Sequence, residues 1–495
     1  MMTDLTSRIS SGNEENIEQL PLLDKIINQR GYNCIEQWKI IIFTTIAISL
    51  EGMHFNILGM ILIPFKSFFQ LSDSEIQFIS GVMYISVGIG SFLSGHIIKK
   101  YPRTEVINYS IFCTFILHLL LGLIQNVFLF TIFRILIGFA IGIFIPLITN
   151  LLCEYCPIHR RSFVFNSTWA GYNFGCLLFA FSQLKLMPEL EEENMQKTLL
   201  FTSIFPLAVF IILKLYLKDS PRNLILLGKE REAFEILEKF KGGYLDEKDR
   251  NKIIEDVKHG VNKELGGHFK DLFKRKYRKI TILLIFIWFT VYMLYYGPFL
   301  IISWVIKAIG EGTVAHESNR DVILDEIKVY LIGLVGYFLG GSISEIKFFG
   351  RKKGIIFGLF FCIVFTFAGI NFPQYFVTFF GIYFIFLNIP LIVIDIYSCE
   401  LYPTKIRDVA VGFFFASCRI GSCLASFLYV NLFRLGTFVP FYAVIITCII
   451  DMALMYCIPY ETFGAALDTN YSSDKNKNKE KLLNTKDFSV FGSKI

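Results

Sequence analysis

Several ionisable side chains stand inside long apolar runs, among them Glu51, His54, Arg134, Asp395 and Arg419. An ionisable group at the centre of a bilayer costs on the order of 2.5–3.5 kcal/mol by insertion scales, so those that persist face polar cavities and mark ion or substrate paths. Glu51 and His54 lie three residues apart, on a similar face of one helix. A carboxylate beside an imidazole can take up a coupling proton or hold a substrate cation. Arg419 can anchor a substrate carboxylate, or close a structural ion pair with Glu51. Asp395, five residues beyond Pro390, reads as part of a gate with Glu400 and Arg407. His118 reads as a packed core residue. Around Gly297-Pro298 a breaker pair falls in the middle of an apolar run, which predicts an interrupted helix and a freed carbonyl. Tyr295 and Tyr296 there, with Trp288 and Tyr292, offer π faces to a cation or an aromatic ring. A packing surface is the competing reading, because 16% of the chain is aromatic.

The elements that must carry these residues are membrane helices. Of 495 residues, 54% are hydrophobic and 18% charged, which excludes a disordered chain, a coiled coil, a nucleic-acid-binding protein and an ordinary soluble enzyme. A bilayer core about 30 Å thick takes roughly 20 apolar residues per helix, and only helices satisfy their own backbone there. Blocks of that length run Trp38–Pro64, Glu75–Ile98, Val106–Ile124, Val127–Leu152, Phe163–Leu184 and Leu199–Leu217. After a polar stretch come Lys279–Val305, Val329–Glu345, Gly354–Phe372, Tyr375–Cys399, Val409–Phe433 and Phe438–Pro459. The expected fold class is therefore all-α integral membrane, with twelve transmembrane helices in two pseudo-symmetric six-helix bundles.

Basic residues cluster after every second span: Lys99, Lys100 and Arg103, then Arg160 and Arg161, then Lys347 to Lys353, then Lys405 and Arg407. Sixteen more lie in Lys218–Arg278. Positive charge marks the cytoplasmic side, so both termini are expected there. The expected organisation is a cytoplasmic tail at 1–37, bundles at 38–217 and 279–459 flanking a cytoplasmic loop at 218–278, and a disordered cytoplasmic tail at 460–495. The first 37 residues are polar, so the first span is expected to direct insertion without a cleaved signal.

The halves repeat. Glu154-x-x-Pro157-x-x-x-Arg161 closes the fourth span and Glu400-x-x-Pro403-x-x-x-Arg407 the tenth, 246 residues apart, while Arg103 and Arg351 recur at nearly that offset. These motifs, with Asp219-Ser-Pro-Arg-Asn-Leu224, Tyr295-Tyr-Gly297 and Arg419-Ile-Gly421, resemble the major facilitator superfamily, in its synaptic-vesicle-protein-2-like and organic-ion branch. The resemblance covers Trp38 to Pro459. It implies alternating access around a central cavity, a cytoplasmic gate, and a coupling role for Arg134 in Arg134-x-x-x-Gly138-x-x-x-Gly142. The gate residues it implies are Arg103, Glu154, Arg161, Arg351, Glu400 and Arg407, with Asp395 joining them. The sequence departs from the family at Lys99 and Pro102, where an Asp and a Gly are expected, which puts first-half gating in doubt. The short loop after the first span disfavours the animal organic-ion carriers.

The resulting expectation is a secondary carrier of a small organic ion or polar metabolite, open to proton coupling. Glu51, His54, Arg134, Tyr295, Tyr296 and Arg419 are its substrate and coupling residues. The alternative is a membrane receptor or scaffold that keeps the fold. No enzyme activity, cofactor, metal site or nucleic-acid partner is expected: the chain lacks a phosphate-binding Gly-x-x-x-x-Gly-Lys-Ser/Thr loop, and Cys153 and Cys156 have no second pair. Leu224–Lys241 reads as an amphipathic helix on the membrane surface or against the bundle. Glu18, Leu22 and Leu23 match an acidic dileucine pattern for a sorting adaptor, which suits the plasma membrane or an endosomal or vesicular one. A monomer is expected.

Overall fold

The computed structural model describes residues 22–29, 35–98, 101–157, 161–260, 268–311 and 319–463. Glu18, Lys99, Lys100, Arg160 and the tail from Asp468 lie outside them. The first half contains α1 (Leu22–Gln29), α2 (Ile35–Met60), α3 (Leu62–Phe68), α4 (Asp73–Ile97), α5 (Arg103–Leu121), α6 (Val127–Tyr155) and α7 (Arg161–Leu186). It ends with α8 (Glu192–Thr202) and α9 (Ile204–Tyr216), which meet at Ser203 and together make one span. Between the halves lie α10 (Pro221–Leu226), α11 (Glu230–Lys241) and α12 (Glu247–Gly260). The second half contains α13 (Arg278–Glu311), α14 (Asn319–Glu345), α15 (Lys352–Asn371), α16 (Phe376–Leu401), α17 (Thr404–Leu435) and α18 (Val439–Cys457). Among the described residues there is no strand.

Eleven of the expected twelve spans are long and apolar enough to cross a membrane, among the described residues. The twelfth, α7, spans 26 residues but carries more polar groups. Packing explains the difference. α7 is wedged between α2 and α14, so its polar groups are buried in protein rather than facing lipid. Asn173 donates to the Tyr330 carbonyl at 2.9 Å and Gln183 to the Met60 carbonyl at 2.8 Å. The bundles meet along two matching seams, α4 against α17 and α7 against α14, which are the second and eleventh and the fifth and eighth spans.

The interruption expected at Gly297-Pro298 is absent. α13 runs helical through both residues. Pro298 still removes one backbone donor, but the carbonyl left free, that of Leu294, accepts the Tyr383 hydroxyl at 2.8 Å. Gly297 is needed for close packing instead, since a Cβ there would lie 2.4 Å from the Tyr429 ring. Gly142, in the Arg134 motif, has the same use: its Cβ would meet the Val87 carbonyl oxygen at 2.1 Å. Gly142→Ala is therefore expected to push α6 from α4 and destabilise the fold by about 1–3 kcal/mol, read as a lower midpoint of thermal unfolding. An unchanged midpoint would show that the seam yields freely.

The central loop folds onto the bundle end. The expected single amphipathic helix is broken at Gly228, which adopts a left-handed φ of 78°, into α10 and α11. The apolar stripe of α11 (Ala233, Phe234, Ile236, Leu237 and Phe240) is buried, with Phe240 stacked 5.8 Å from Tyr155 of α6. α1 packs on α11 and α12 and buries Leu23 to 2% exposure. Leu22 beside it is half-buried.

Candidate functional site

Glu51 on α2 and Arg419 on α17 meet across the two halves as a fully buried ion pair. Arg419 is held from every side. It donates to the Tyr296 hydroxyl at 3.0 Å, and its guanidinium lies 4.5, 5.5 and 5.6 Å from the rings of Phe55, Tyr292 and Tyr296. Tyr296 in turn accepts from Tyr172 at 3.3 Å, and Tyr172 accepts from Asn56 at 3.0 Å.

This pair borders a cavity between the halves. Glu51 and Asp395 supply its acidic wall and Asn388 a third polar group. Its aromatic wall comes from Trp169, Tyr172, Tyr292, Tyr295, Tyr296 and Tyr337. Several of the lining atoms are buried with no hydrogen-bond partner among the described residues: Glu51 Oε2, Trp169 Nε1, Asn388 Oδ1 and both oxygens of Asp395. The Tyr292 hydroxyl comes near Asp395 without reaching hydrogen-bond geometry. Native proteins leave few buried polar groups unpaired, and a concentration of them in one cavity points to a ligand or solvent that satisfies them.

Asp395 is thus corrected from gate to cavity. Helical phase is the reason. Glu400 lies five residues on, roughly 140° around the axis and about 7.5 Å along it, so the two carboxylates face different places. His54 also moves. It lies only about 60° short of Glu51's direction, yet it turns into the first bundle and not toward the cavity. Its Nδ1 donates to the Leu50 carbonyl at 2.8 Å, and its Nε2 accepts from His118 Nδ1 at 3.0 Å. His118 Nε2 lies 3.3 Å from Thr202 Oγ1, so His118 is a linked polar residue as well as a buried one. Arg134 is likewise outside the cavity and donates to the His54 carbonyl at 2.8 Å. Trp288 stands behind the wall, stacked on Tyr292 at 5.5 Å, with its indole nitrogen donating to Ser398 at 2.9 Å.

Toward the basic loops the cavity is sealed by a charge cluster. Arg103 binds Glu154 through two nitrogens, at 2.8 and 3.2 Å, and Arg351 binds Glu400 at 3.3 and 3.2 Å, one such pair in each half. Crossing between halves, Arg161 approaches Glu400 to 3.7 Å and Arg407 approaches Glu154 to 3.9 Å, the same contact exchanged by the repeat. The strongest cross-link was not legible in the motifs. Asp408 accepts from Arg103 at 2.8 Å and from Asn150 at 2.6 Å, so Arg103 remains ion-paired although the loop before it lacks its family acid. Burial opposes the charge on Arg351, but Glu400 beside it more than compensates and holds the guanidinium above its usual range. Close by, Asp219 is held by the Ser220 amide at 2.8 Å, and burial pushes its carboxyl up against the pull of Arg103.

A buried, polar-lined cavity shared by two repeated six-helix bundles, with a charge cluster closing one end, defines a multi-pass membrane transporter of the major facilitator type. Residues 29–470 match the Sugar (and other) transporter family, and the chain belongs to it. It is 26% identical over 459 residues to the synaptic vesicle 2-related protein of Rattus norvegicus, covering 87% of this chain and 79% of that one. It is 25% identical over 468 residues to the organic cation/carnitine transporter 7 of Arabidopsis thaliana, covering 86% and 91%. Its fold matches the proton:xylose symporter XylE bound to 6-bromo-6-deoxy-D-glucose, with a TM-score of 0.71 at 18% identity over 87% of this chain and 98% of that one.

Proposed function

We propose that this transporter is a secondary carrier of a small organic ion or polar metabolite, working by alternating access around the cavity between its halves. The carrying observation is Asp395, a buried carboxylate in that cavity with neither oxygen paired. Two carboxylates face one guanidinium there, so the cavity is short of one positive charge. An unpaired buried charge is relieved by taking up a proton or a cation, and the tyrosine rings around it suit a cationic group. An organic-cation carrier among the relatives accords with this reading. In it, Glu51 and Arg419 fasten the first half to the second beside the bound substrate, and the charge cluster closes the cytoplasmic end. The basic loops support a cytoplasmic position for that end and both termini, and the repeat supports bundles at residues 38–217 and 279–459. The vesicle-protein relative favours a vesicular membrane.

The test is uptake into proteoliposomes of a panel of organic ions, with and without an inward proton gradient. The wild type is expected to concentrate at least one of them, and Asp395→Asn to lose gradient-driven accumulation while retaining exchange. Accumulation by Asp395→Asn at the wild-type rate would remove Asp395 from the mechanism. A wild type that moves nothing across a broad panel would favour a receptor or scaffold.

A further inference from the structure

Among the buried arginines, Arg103, Arg161, Arg351, Arg407 and Arg419 each have a carboxylate within ion-pair distance. Arg134 does not. It lies about two turns into α6, is 2% exposed, and among the described residues no acidic side chain pairs with it. One of its nitrogens reaches the His54 carbonyl, while its Nε is buried with no partner among the described residues. An uncompensated guanidinium in the membrane interior is among the costliest states a side chain can adopt.

Arg134 lines a second chamber between α2, α4, α6 and α13. The chamber lies beyond Tyr296 from the charge cluster, on the part of α2 that follows Glu51, and Tyr296 forms a wall common to it and the central cavity. Ser80 on α4 faces the same chamber, and its hydroxyl, too, is buried without a partner among the described residues. Phe55, Met83, Tyr84 and Phe299 supply apolar and aromatic surface around these two donors.

We infer that this chamber is a binding site for one monovalent anion, held by Arg134 with the Ser80 hydroxyl as a second donor. One guanidinium without a counter-charge neutralises one negative charge, and its planar fork suits a carboxylate. The aromatic rim gives an organic carboxylate apolar contact that a halide cannot use. The site has the opposite charge preference to the central cavity and is separate from it, so it stands or falls independently of the proposed transport role.

The test is ligand-dependent unfolding of the full chain in lipid nanodiscs, which requires no transport. Sodium benzoate and sodium chloride are titrated separately at constant pH, with ionic strength held by sodium HEPES, and benzyl alcohol serves as the uncharged counterpart of benzoate. A saturable rise in the unfolding midpoint is expected with an anion, because a ligand that binds only the folded state stabilises it by mass action. Benzyl alcohol is expected to give none. Saturation by benzoate alone assigns an organic carboxylate, and saturation by chloride with competition between the two assigns a halide; either supports the site. Arg134→Gln is expected to abolish the saturable shift, and Ser80→Ala, which keeps the charge, to weaken the apparent affinity several-fold. A wild type insensitive to both anions, or equal shifts in wild type and either variant, overturns the assignment.

Discussion

Arg419→Gln is expected to destabilise the folded transporter by about 3–5 kcal/mol, the usual result of removing one partner from a buried ion pair. The loss is large because of what remains. Glu51 would be left fully buried, with one of its oxygens already unpartnered, in a cavity that also holds Asp395. Two carboxylates would then share that space with no cation between them. Glu51→Gln should destabilise too, though less, because Arg419 keeps the Tyr296 hydroxyl and three aromatic rings around it. The decisive variant is the double one. With both charges gone, most of the penalty disappears, and the cycle should show a coupling of about 1 kcal/mol or more. Unfolding in nanodiscs with a chemical denaturant measures all four proteins. Additive single effects would mean that the two residues do not act as a pair.

The same residues show how far the sequence could be read. Long apolar blocks separated by basic loops marked out the spans, because lipid leaves the backbone no alternative to a helix. Even α7, the most polar of the twelve, was legible as the apolar block Phe163–Leu184. Glu51 and Arg419 were conspicuous because a charge in an apolar run has so few explanations. Their orientation was less legible. Asp395 was assigned by depth along the chain and His54 by its spacing from Glu51, but which neighbours a face meets depends on the helices around it. His54 faces His118, and Asp395 faces Glu51's cavity. The aromatic wall was only half found. Tyr295 and Tyr296 stood beside a breaker pair, whereas Trp169, Tyr172 and Tyr337 had no such flag in a chain with 53 Phe and 23 Tyr. Asn388, two residues before Pro390, carried a weak signal as an amide in an apolar run, and it was missed.

Asp408 was missed for a related reason, and it leads to the second large effect. It follows Arg407 directly, so it passed for the end of a motif, yet it is the acid that ties Arg103 and Asn150 of the first half to the second. In the first half the repeat places Ser162 at the corresponding position, and that serine's amide donates to Glu345 at 2.8 Å, again across the seam. Closure at this end therefore rests on contacts that exist only while the halves are together. Asp408→Asn should remove the ionic part of the tightest one. A hydrogen bond to a charged group is worth about 1.5–3 kcal/mol, so the open population should rise roughly 10- to 150-fold. Cys153 and Cys399 report this, since both lie behind the cluster with no exposed surface. A charged, membrane-impermeant thiol reagent should leave them unmodified in the wild type and label them faster in Asp408→Asn by a comparable factor, with mass spectrometry locating the modified peptides. Arg103→Gln should go further, because it removes the guanidinium that pairs with both Glu154 and Asp408. If Cys399 is labelled at the wild-type rate in both variants, this end is held shut by packing rather than by charge.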